Sequence, residues 1–168
     1  YSSNVTGYDG EGQITSALAY VTSEDMPVFY TLEGQDELPL STAFQNGLEK
    51  QNAQLQSINL LTQESVPEDA QGVLIMAPVT DISADDADKL IAYLDKGGKI
   101  LMTTAYMEDF AEEMPNLQKV LDYFGLTIEK GLVMEGDSSM YYQQPAYLLP
   151  DVAYDMLTKG ISGEKYIF

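Results

Sequence analysis

The sequence predicts an α/β fold with three layers, in which helices cover both faces of a mostly parallel sheet. Two short apolar runs, residues 72–78 and 99–104, are bounded by Pro or Gly, as is typical of strands buried on both faces. Between them, residues 83–96 have apolar side chains at helical spacing. Together these segments predict a βαβ unit. Because the crossover of such a unit is almost always right-handed, it determines much of the topology.

The helix of this unit has sequence signals at both ends. Ser83 is predicted to be its N-cap, and Asp86 three residues later completes a capping box. Gly97, which follows Lys96, is predicted to be the left-handed residue that ends the helix, with Gly98 in a tight turn. The apolar stripe of this helix consists of Ala84, Ala87, Leu90, Ile91 and Leu94.

Similar patterns predict the elements that precede this unit. A short helix is expected to present one apolar face, made of Ile14, Ala17, Leu18 and Val21. Residues 26–32 form a β-rich run and are predicted to be the first strand. A second helix is predicted to open at Pro39, since proline is tolerated in a first turn. The alternating residues 54–60 predict an edge strand, and residues 62–69 a polar loop.

After the βαβ unit, residues 106–113 are predicted to be an acidic connector. Pro115 is expected to start a helix with its buried face formed by Leu117, Val120, Leu121 and Phe124. Residues 126–128 and 132–134 are predicted to be a short edge strand or pair of strands. The final residues, Ile167 and Phe168, also have the composition of a strand.

These elements favour a parallel sheet in flavodoxin-like order, with the strand at residues 26–32 beside the strand that contains Val73. Ligands of such sheets bind outside the carboxyl ends of the strands, where the strand order reverses. Three segments are predicted to line that crevice, namely residues 33–37, 78–81 and 103–106.

Composition excludes several classes of function. The chain has 27 acidic and 8 basic residues, a net charge of −19, and no His, Cys or Trp. All basic residues are lysines. Nucleic acids and anionic lipid surfaces would repel this charge, so neither is predicted as a partner. Without Cys or His, the usual zinc sites and the Cys–His and Ser–His dyads are excluded. No catalytic residue, metal site or cofactor is predicted.

The 168 residues are sufficient for a single α/β domain, residues 1–168, with a core that needs no disulfides. No segment is long and apolar enough to be a transmembrane helix. The abrupt start at Tyr1 and the strand-like final residues predict that this domain is excised from a longer, membrane-anchored protein.

The acidic crevice is the first candidate site. Its acids could bind Ca²⁺ or Mg²⁺ through hard oxygen ligands, or serve as the carboxylate pair of a hydrolase. They could equally be solvated loop acids in an acidic chain. The candidate ligand-binding residues are Glu33, Asp36, Glu37, Asp81, Thr104 and Tyr106.

The second candidate is a long loop rich in Tyr and Gln, residues 135–153. Tyrosine combines apolar area with a polar tip and is favoured at interfaces. The loop could form an interaction surface, or it could pack its rings onto its own domain. The candidate surface residues are Tyr141, Tyr142, Gln143 and Tyr147.

The order and spacing of several segments resemble the extracytoplasmic domain of GldG-type ABC transporter auxiliary proteins. The resemblance extends over most of the chain, in residues 11–18, 28–32, 59–61, 66–70, 74–78, 90–101, 121–126, 150–152 and 157–160. Members of that family often have Gly-His-Gly-Glu after the first strand, whereas this chain has Gly34-Gln35-Asp36-Glu37. No role of that histidine can therefore be transferred to this chain.

The resemblance implies a fold similar to flavodoxin and to class I glutamine amidotransferases, without the Cys and His that such enzymes use. It implies a non-enzymatic domain on the extracytoplasmic face of the cell membrane, tethered by flanking helices. The implied partners are ABC transporter membrane and ATPase subunits, and the domain would act by protein interaction or by holding a ligand. The alternative is a carboxylate-dependent hydrolase, or a module that binds carbohydrate or a divalent cation in the acidic crevice.

Overall fold

The computed structural model describes residues 10–22, 26–155, 158 and 163. The chain divides into two compact units, Tyr1–Glu129 and Lys130–Phe168, and each is described by itself. The single domain expected from the sequence stays a prediction. The strand expected at Ile167 and Phe168 lies outside the described residues.

The first unit is built on a four-stranded parallel sheet. Its strands are β1 (Val28–Leu32), β2 (Gln54–Ile58), β3 (Ala70–Met76) and β4 (Ile100–Thr103), in the spatial order β2-β1-β3-β4. Strand β1 runs parallel to both of its neighbours, β2 and β3, and β3 runs parallel to β4. This is the strand order of a flavodoxin-like sheet. The predicted α/β class and the predicted pairing of β1 with β3 are confirmed.

Five helices accompany the sheet in the described residues: α1 (Gly10–Thr22), α2 (Thr42–Lys50), α3 (Ala84–Asp95), α4 (Phe110–Glu113) and α5 (Pro115–Asp122). The crossovers through α2 and α3 move in opposite directions across the sheet. Right-handed crossovers therefore place α2 on one face and α3 on the other. Helix α5 packs beside α3 in the same layer. The three layers are therefore α2, the sheet, and α3 with α5.

The hydrophobic core lies between the sheet and the α3 face. Alternate residues of β1 (Val28, Tyr30 and Leu32) and of β3 (Val73 and Ile75) point into it, as the two-residue period of a strand requires. The side chains that meet them come from α3, α5 and the loops, and include Leu60, Val66, Ile82, Ala87, Leu90, Leu94, Phe110, Met114, Leu117 and Val120.

Helix α3 has the ends that its sequence predicts. The Ser83 hydroxyl accepts a bond from the Asp86 N–H at 3.1 Å, and the Asp86 carboxylate accepts one from the Ser83 N–H at 3.4 Å. Lys96 is the C-cap, and Gly97 follows in the left-handed region with φ of 87°. The capping box and the glycine stop are confirmed.

Two helix predictions need correction. The helix predicted to open at Pro39 begins at Thr42, because the Ser41 hydroxyl accepts a hydrogen bond from the Phe44 N–H and acts as the N-cap. The predicted connector at residues 106–113 contains the short helix α4, which is capped by the Asp109 carboxylate.

The strands predicted at residues 126–128 and 132–134 are absent from the described structure. The buried side chain of Gln118 takes the place of a neighbouring strand, since its Nε2 donates to the Leu126 carbonyl and its Oε1 accepts from the Ile128 N–H. These two bonds pair the Leu126 carbonyl and the Ile128 N–H. The second apolar run, residues 132–134, is exposed.

Some apolar residues predicted to be buried are exposed. Phe124 lies beyond the end of α5, and Leu101 of β4 is 46% exposed, so β4 is not buried on both faces. The short helix predicted around residues 14–21 is present as α1, and its apolar face, for which no burial was predicted, is exposed at Ile14, Ala17, Leu18 and Val21. Helix α1 is attached through polar groups instead, because the Asn52 side-chain amide donates to the Ser16 carbonyl at 2.9 Å.

In the described part of the chain, every helix falls short of the length and hydropathy that a bilayer crossing requires.

Candidate functional site

Two loops meet at the carboxyl edge of the sheet, at the point between β1 and β3 where the strand order reverses. The Leu38 N–H donates to the Met76 carbonyl at 2.8 Å. The Val79 N–H donates to the Gln35 carbonyl at 2.9 Å, and the Thr80 N–H donates to the same oxygen at 3.3 Å. Two of the three segments predicted to line a crevice, residues 33–37 and 78–81, therefore bond directly to each other through their backbones.

Glu37 is used within its own loop. Its Oε2 accepts hydrogen bonds from the N–H groups of Gly34 at 3.1 Å and Gln35 at 3.0 Å. Its Oε1 is buried and has no hydrogen-bond partner among the described residues. The carboxylate therefore holds the turn that follows β1.

Asp81 is used by a helix that begins far along the chain. Its Oδ1 accepts from the Leu117 N–H at 3.0 Å, and its Oδ2 accepts from the N–H and the side-chain amide of Asn116, both at 2.8 Å. Met114, the N-cap residue of α5, makes no side-chain capping bond. Asp81 therefore caps α5 in place of a local side chain.

The six candidate crevice residues do not form one site. Glu33 and Glu37 line a cavity of about 320 Å³ whose other walls are mostly apolar, among them Leu38, Leu55 and Met76. The remaining candidates, Asp36, Asp81, Thr104 and Tyr106, do not line this cavity. No group of three or more acidic side chains within the described ranges is placed to hold a metal ion.

The loop Gly34-Gln35-Asp36-Glu37 has an unusual backbone. Gly34 has φ of 124° and Asp36 has φ of 54°, both in the left-handed region. Glycine adopts this conformation without a steric cost, whereas Asp36 has a side chain there. Gln35 is only 6% exposed, and its Oε1 is unpartnered among the described residues.

The tyrosine-rich segment of the second unit folds into a hairpin, defined here as residues 140–149. Tyr141 and Leu148 form an antiparallel bridge. The Tyr142 N–H donates to the Tyr147 carbonyl at 2.8 Å, and the Leu149 N–H donates to the Met140 carbonyl at 2.8 Å. The structure brings all four candidate surface residues together in this hairpin, with Gln143 in its turn at φ of 62°.

The rings at the tip of this hairpin remain accessible. Tyr142 is 47% exposed and Tyr147 is 43% exposed, while Tyr141 is half-buried. Just before the hairpin, Asp137 accepts bonds from the N–H of Ser139 at 2.9 Å and from its hydroxyl at 2.8 Å. These bonds lower the pKa of the Asp137 carboxyl, the backbone bond most. The segment is thus both an ordered loop and an aromatic surface.

A larger groove was not predicted from the sequence. It has a volume of about 630 Å³ and lies between α3 and the segment that connects β2 to β3. The signal that could have revealed it is the absence of helical periodicity in residues 59–69, where a crossover helix is usual. Its walls include Pro67, Tyr93, Lys96 and Lys99.

No protein-family profile matches the chain, and no curated protein matches it either. Among solved structures, the chain is similar to one titled the mmIFT52 N-terminal domain, with 18% sequence identity and a TM-score of 0.62. The match covers 83% of this chain and 64% of that structure. At this identity the similarity supports the fold, and it carries no statement about activity.

Proposed function

We propose that this chain is a non-enzymatic, extracytoplasmic auxiliary domain of an ABC transport system, tethered to the cell membrane by flanking helices. It acts through contacts with the membrane subunit of the transporter, in a complex that also contains the ATPase subunit. The resemblance of ordered sequence segments to GldG-type proteins supports the transport context. The α/β fold is consistent with that resemblance.

The observation that carries a role in protein contact is the hairpin at residues 140–149. Its backbone bonds order the chain that carries Tyr142 and Tyr147, and both residues are more than 40% exposed. A preordered backbone reduces the entropy cost of binding, and Tyr is enriched among residues that dominate binding energy.

The use of the crevice acids also supports a role without catalysis. Asp81 caps α5 and Glu37 closes its own turn, so both carboxylates are bonded to backbone N–H groups. An acid–base or nucleophilic carboxylate must reach a substrate atom at hydrogen-bond distance. The carboxylate-dependent alternative therefore gains no support from the described geometry.

The proposal is tested by purifying the full-length gene product together with the transporter subunits encoded beside it. We expect co-purification, and we expect Tyr142→Ala with Tyr147→Ala to weaken it at least tenfold. Tyr154→Ala is the matched control, because Tyr154 is 74% exposed in the same unit but lies outside the hairpin. A full-length protein without membrane helices, or one that does not associate with those subunits, contradicts the proposal.

A further inference from the structure

Strand β4 is an edge of the sheet, although it has the composition of an interior strand. In a flavodoxin-like sheet of order 2-1-3-4-5, a fifth strand lies outside the fourth. Within the described residues that position is empty, since β4 pairs with β3 alone. Natural edge strands are usually protected by charged residues, proline or bulges. Residues 100–106 contain no charged residue and no proline, so β4 is an unprotected edge.

The backbone groups on this open edge belong to Ile100 and Met102. The carbonyls of Lys99 and Thr103 point towards β3, because each accepts a hydrogen bond of 2.9 Å from an N–H group of that strand or of the residue after it. Backbone groups alternate in direction along a strand, so the N–H and C=O groups of Ile100 and Met102 point away from β3. In the described part of the chain, no strand lies beside these groups.

The segment after α5 would supply the fifth strand in the usual topology, but its backbone is bonded elsewhere. The Gln118 Nε2 donates to the Leu126 carbonyl at 2.9 Å, and the Gln118 Oε1 accepts from the Ile128 N–H at 3.3 Å. Moving this segment to β4 would break both bonds and leave the Oε1 of Gln118, which is only 7% exposed, without a partner. The edge is therefore open to another chain.

The side chains of β4 are also apolar on both faces. Ile100 and Met102 pack partly against the core, and Leu101 on the opposite face is 46% exposed. The other edge of the sheet is different, because residues 54–57 of β2 are exposed and mostly polar. A new neighbouring strand would therefore remove more apolar area from water at β4 than at β2.

We propose that β4 pairs with β4 of a second copy of this chain. The two strands run antiparallel about a two-fold axis midway between the two Leu101 residues, and two four-stranded sheets become one sheet of eight strands. Ile100 then lies opposite Met102 of the second copy, and the two residues exchange both of their hydrogen bonds. The symmetry repeats this exchange. Two-fold dimers are the commonest protein oligomers. The inference does not depend on the proposed function.

Apolar matching selects this register among the symmetric ones. With the axis at Leu101, the two Leu101 side chains lie directly opposite each other on the same face, where cross-strand pairs stabilise a sheet. An axis at Met102 would place Leu101 opposite Thr103, and an axis at Thr103 would place it opposite Ala105. Both alternatives pair Leu101 with a smaller side chain and bury less apolar area.

The distribution of charge favours the antiparallel orientation. Lys96 and Lys99 lie at the amino end of β4. They are balanced by Glu68, which lines the same groove, and by Asp95, which precedes Lys96. Residues 108–113, which follow β4, contain four acids and no base. Antiparallel strands keep the two acidic ends apart, whereas parallel strands would bring them together. The net charge of −19 on each copy still opposes association, so salt should strengthen the dimer.

Sedimentation velocity of the purified 168-residue chain tests the dimer. Pairing through one short strand gives a small interface, so we expect a dissociation constant in the micromolar range. The chain should change from monomer to dimer between about 5 and about 500 µM in 150 mM NaCl. The dimer fraction should be smaller in 10 mM NaCl. A chain that stays monomeric over the whole range overturns the proposal and leaves this edge to a strand of another protein.

Charge exchange at residue 101 tests the register, because only the proposed axis places this residue opposite itself. Leu101→Lys and Leu101→Glu should each weaken dimerisation about tenfold, since like charges would lie directly opposite. An equimolar mixture of the two variants should associate again. Leu61→Lys is the matched control, at a loop leucine that is 64% exposed, and it should leave dimerisation within twofold. A mixture that associates no better than either variant alone overturns the proposal. Thermal unfolding checks that each variant is folded.

Cysteine substitution gives an independent readout, because the chain has no Cys of its own. The two residues 101 form a non-hydrogen-bonded pair in the proposed register, with Cα atoms about 4.5 Å apart, and this distance permits a disulfide. With oxidised glutathione, Leu101→Cys should therefore form a covalent dimer much faster than Leu61→Cys. Equal rates for the two variants contradict the pairing of β4 with itself.

Discussion

Asp81 shows how a residue that the sequence marks as a ligand can have a structural role. Its carboxylate satisfies two N–H groups in the first turn of α5, where Met114 offers no cap. Asp81→Ala would leave these donors without their partner. We expect the free energy of unfolding to fall by about 2 kcal/mol, measured by urea denaturation.

Asp36→Asn is the control for this change, because it removes the same charge from the same edge of the sheet. Asn tolerates the left-handed backbone that Asp36 adopts at φ of 54°. The control should alter stability by no more than about 0.5 kcal/mol. Equal losses in the two variants would show that charge, rather than capping, explains the effect of Asp81.

Tyr30 makes the free energy of unfolding depend on pH in the alkaline range. Its hydroxyl donates to the Asp69 carboxylate at 3.1 Å, and burial, followed by the bond and charge of Asp69, raises the Tyr30 pKa. A group with a raised pKa stabilises the fold below its unfolded pKa of about 10. That contribution is lost as the pH rises through the folded pKa, because ionised Tyr30 would face a carboxylate.

Tyr30→Phe removes this dependence. At pH 7 the variant should be about 1–2 kcal/mol less stable than the original chain, and the difference should shrink above pH 10. Urea denaturation of both proteins between pH 7 and pH 11 measures it, and other titrating groups cancel in the comparison. A difference that stays constant to pH 11 would contradict the assignment.

The sequence predicts where the acidic residues of the candidate site lie in the fold, but it does not predict which groups they form hydrogen bonds with. Glu33 and Glu37 were predicted beside the crevice, and they do line one cavity there. The partner of Asp81 lies 35 residues away, so only the folded chain brings the two together. Gln118 was missed for the same reason, because no local pattern predicts that a helix side chain will satisfy residues 126–128.

At the scale of elements, the Gly97-Gly98 pair has two different functions. Gly97 has φ of 87°, which suits the residue after a helix. Gly98 instead makes room for Tyr93, because an added Cβ would lie 2.4 Å from the ring. The sequence predicted the first function, and the second depends on a side chain that only the packed structure positions.

Gly98→Ala should therefore destabilise the protein by about 1–3 kcal/mol through overpacking. Gly47→Ala is its matched opposite, because Gly47 lies within α2 with nothing within 4 Å of an added Cβ. That change should stabilise by roughly 0.5–1 kcal/mol, since alanine is the better helix former. Thermal and urea unfolding of both variants test the pair, and a loss of stability in both would show that the Tyr93 contact is not the cause.

The elements that were predicted correctly have local signals. Helix α3 has a capping box at Ser83 and a glycine stop at Gly97, and both are present in the structure. Periodicity correctly predicted helix α1, but periodicity does not indicate whether an apolar face has a partner, and this face is exposed. Helix α1 docks through the Asn52 amide and the Ser16 carbonyl, and no hydropathy pattern contains that information.

At the scale of the whole molecule, the order of the strands follows from chain connectivity and the handedness of crossovers. The order of strands and helices along the sequence, together with the handedness of crossovers, was sufficient to predict that β1 pairs with β3. Within the helixless connection at residues 59–69, residues 62–69 were predicted as a polar loop, but the groove beside the connection depends on the width that a loop leaves uncovered. Local patterns describe what is present in a segment, whereas a groove is defined by what neighbouring segments do not fill.

The net charge of −19 belongs to the whole chain, and it predicts how stability responds to salt. Folding brings like charges closer together, so their repulsion should cost more in the native state than in the expanded unfolded chain. Salt shortens the Debye length from about 30 Å at 0.01 M to about 8 Å at 0.15 M and should relieve that cost. Raising NaCl from 10 to 150 mM should therefore raise Tm by several degrees.

The competing effect is the screening of ion pairs, such as those between Lys89 and Asp85 and between Lys119 and Asp88. Exposed pairs contribute only about 0–1 kcal/mol each, so repulsion among 27 acids should outweigh them. Differential scanning calorimetry over a salt series measures the balance. The rise in Tm should level off above roughly 0.3 M NaCl, where screening is nearly complete. An effect of salt on surface hydration would instead raise Tm linearly with salt concentration. A fall in Tm with salt would mean that the ion pairs dominate, and Lys89→Gln should then reduce the fall.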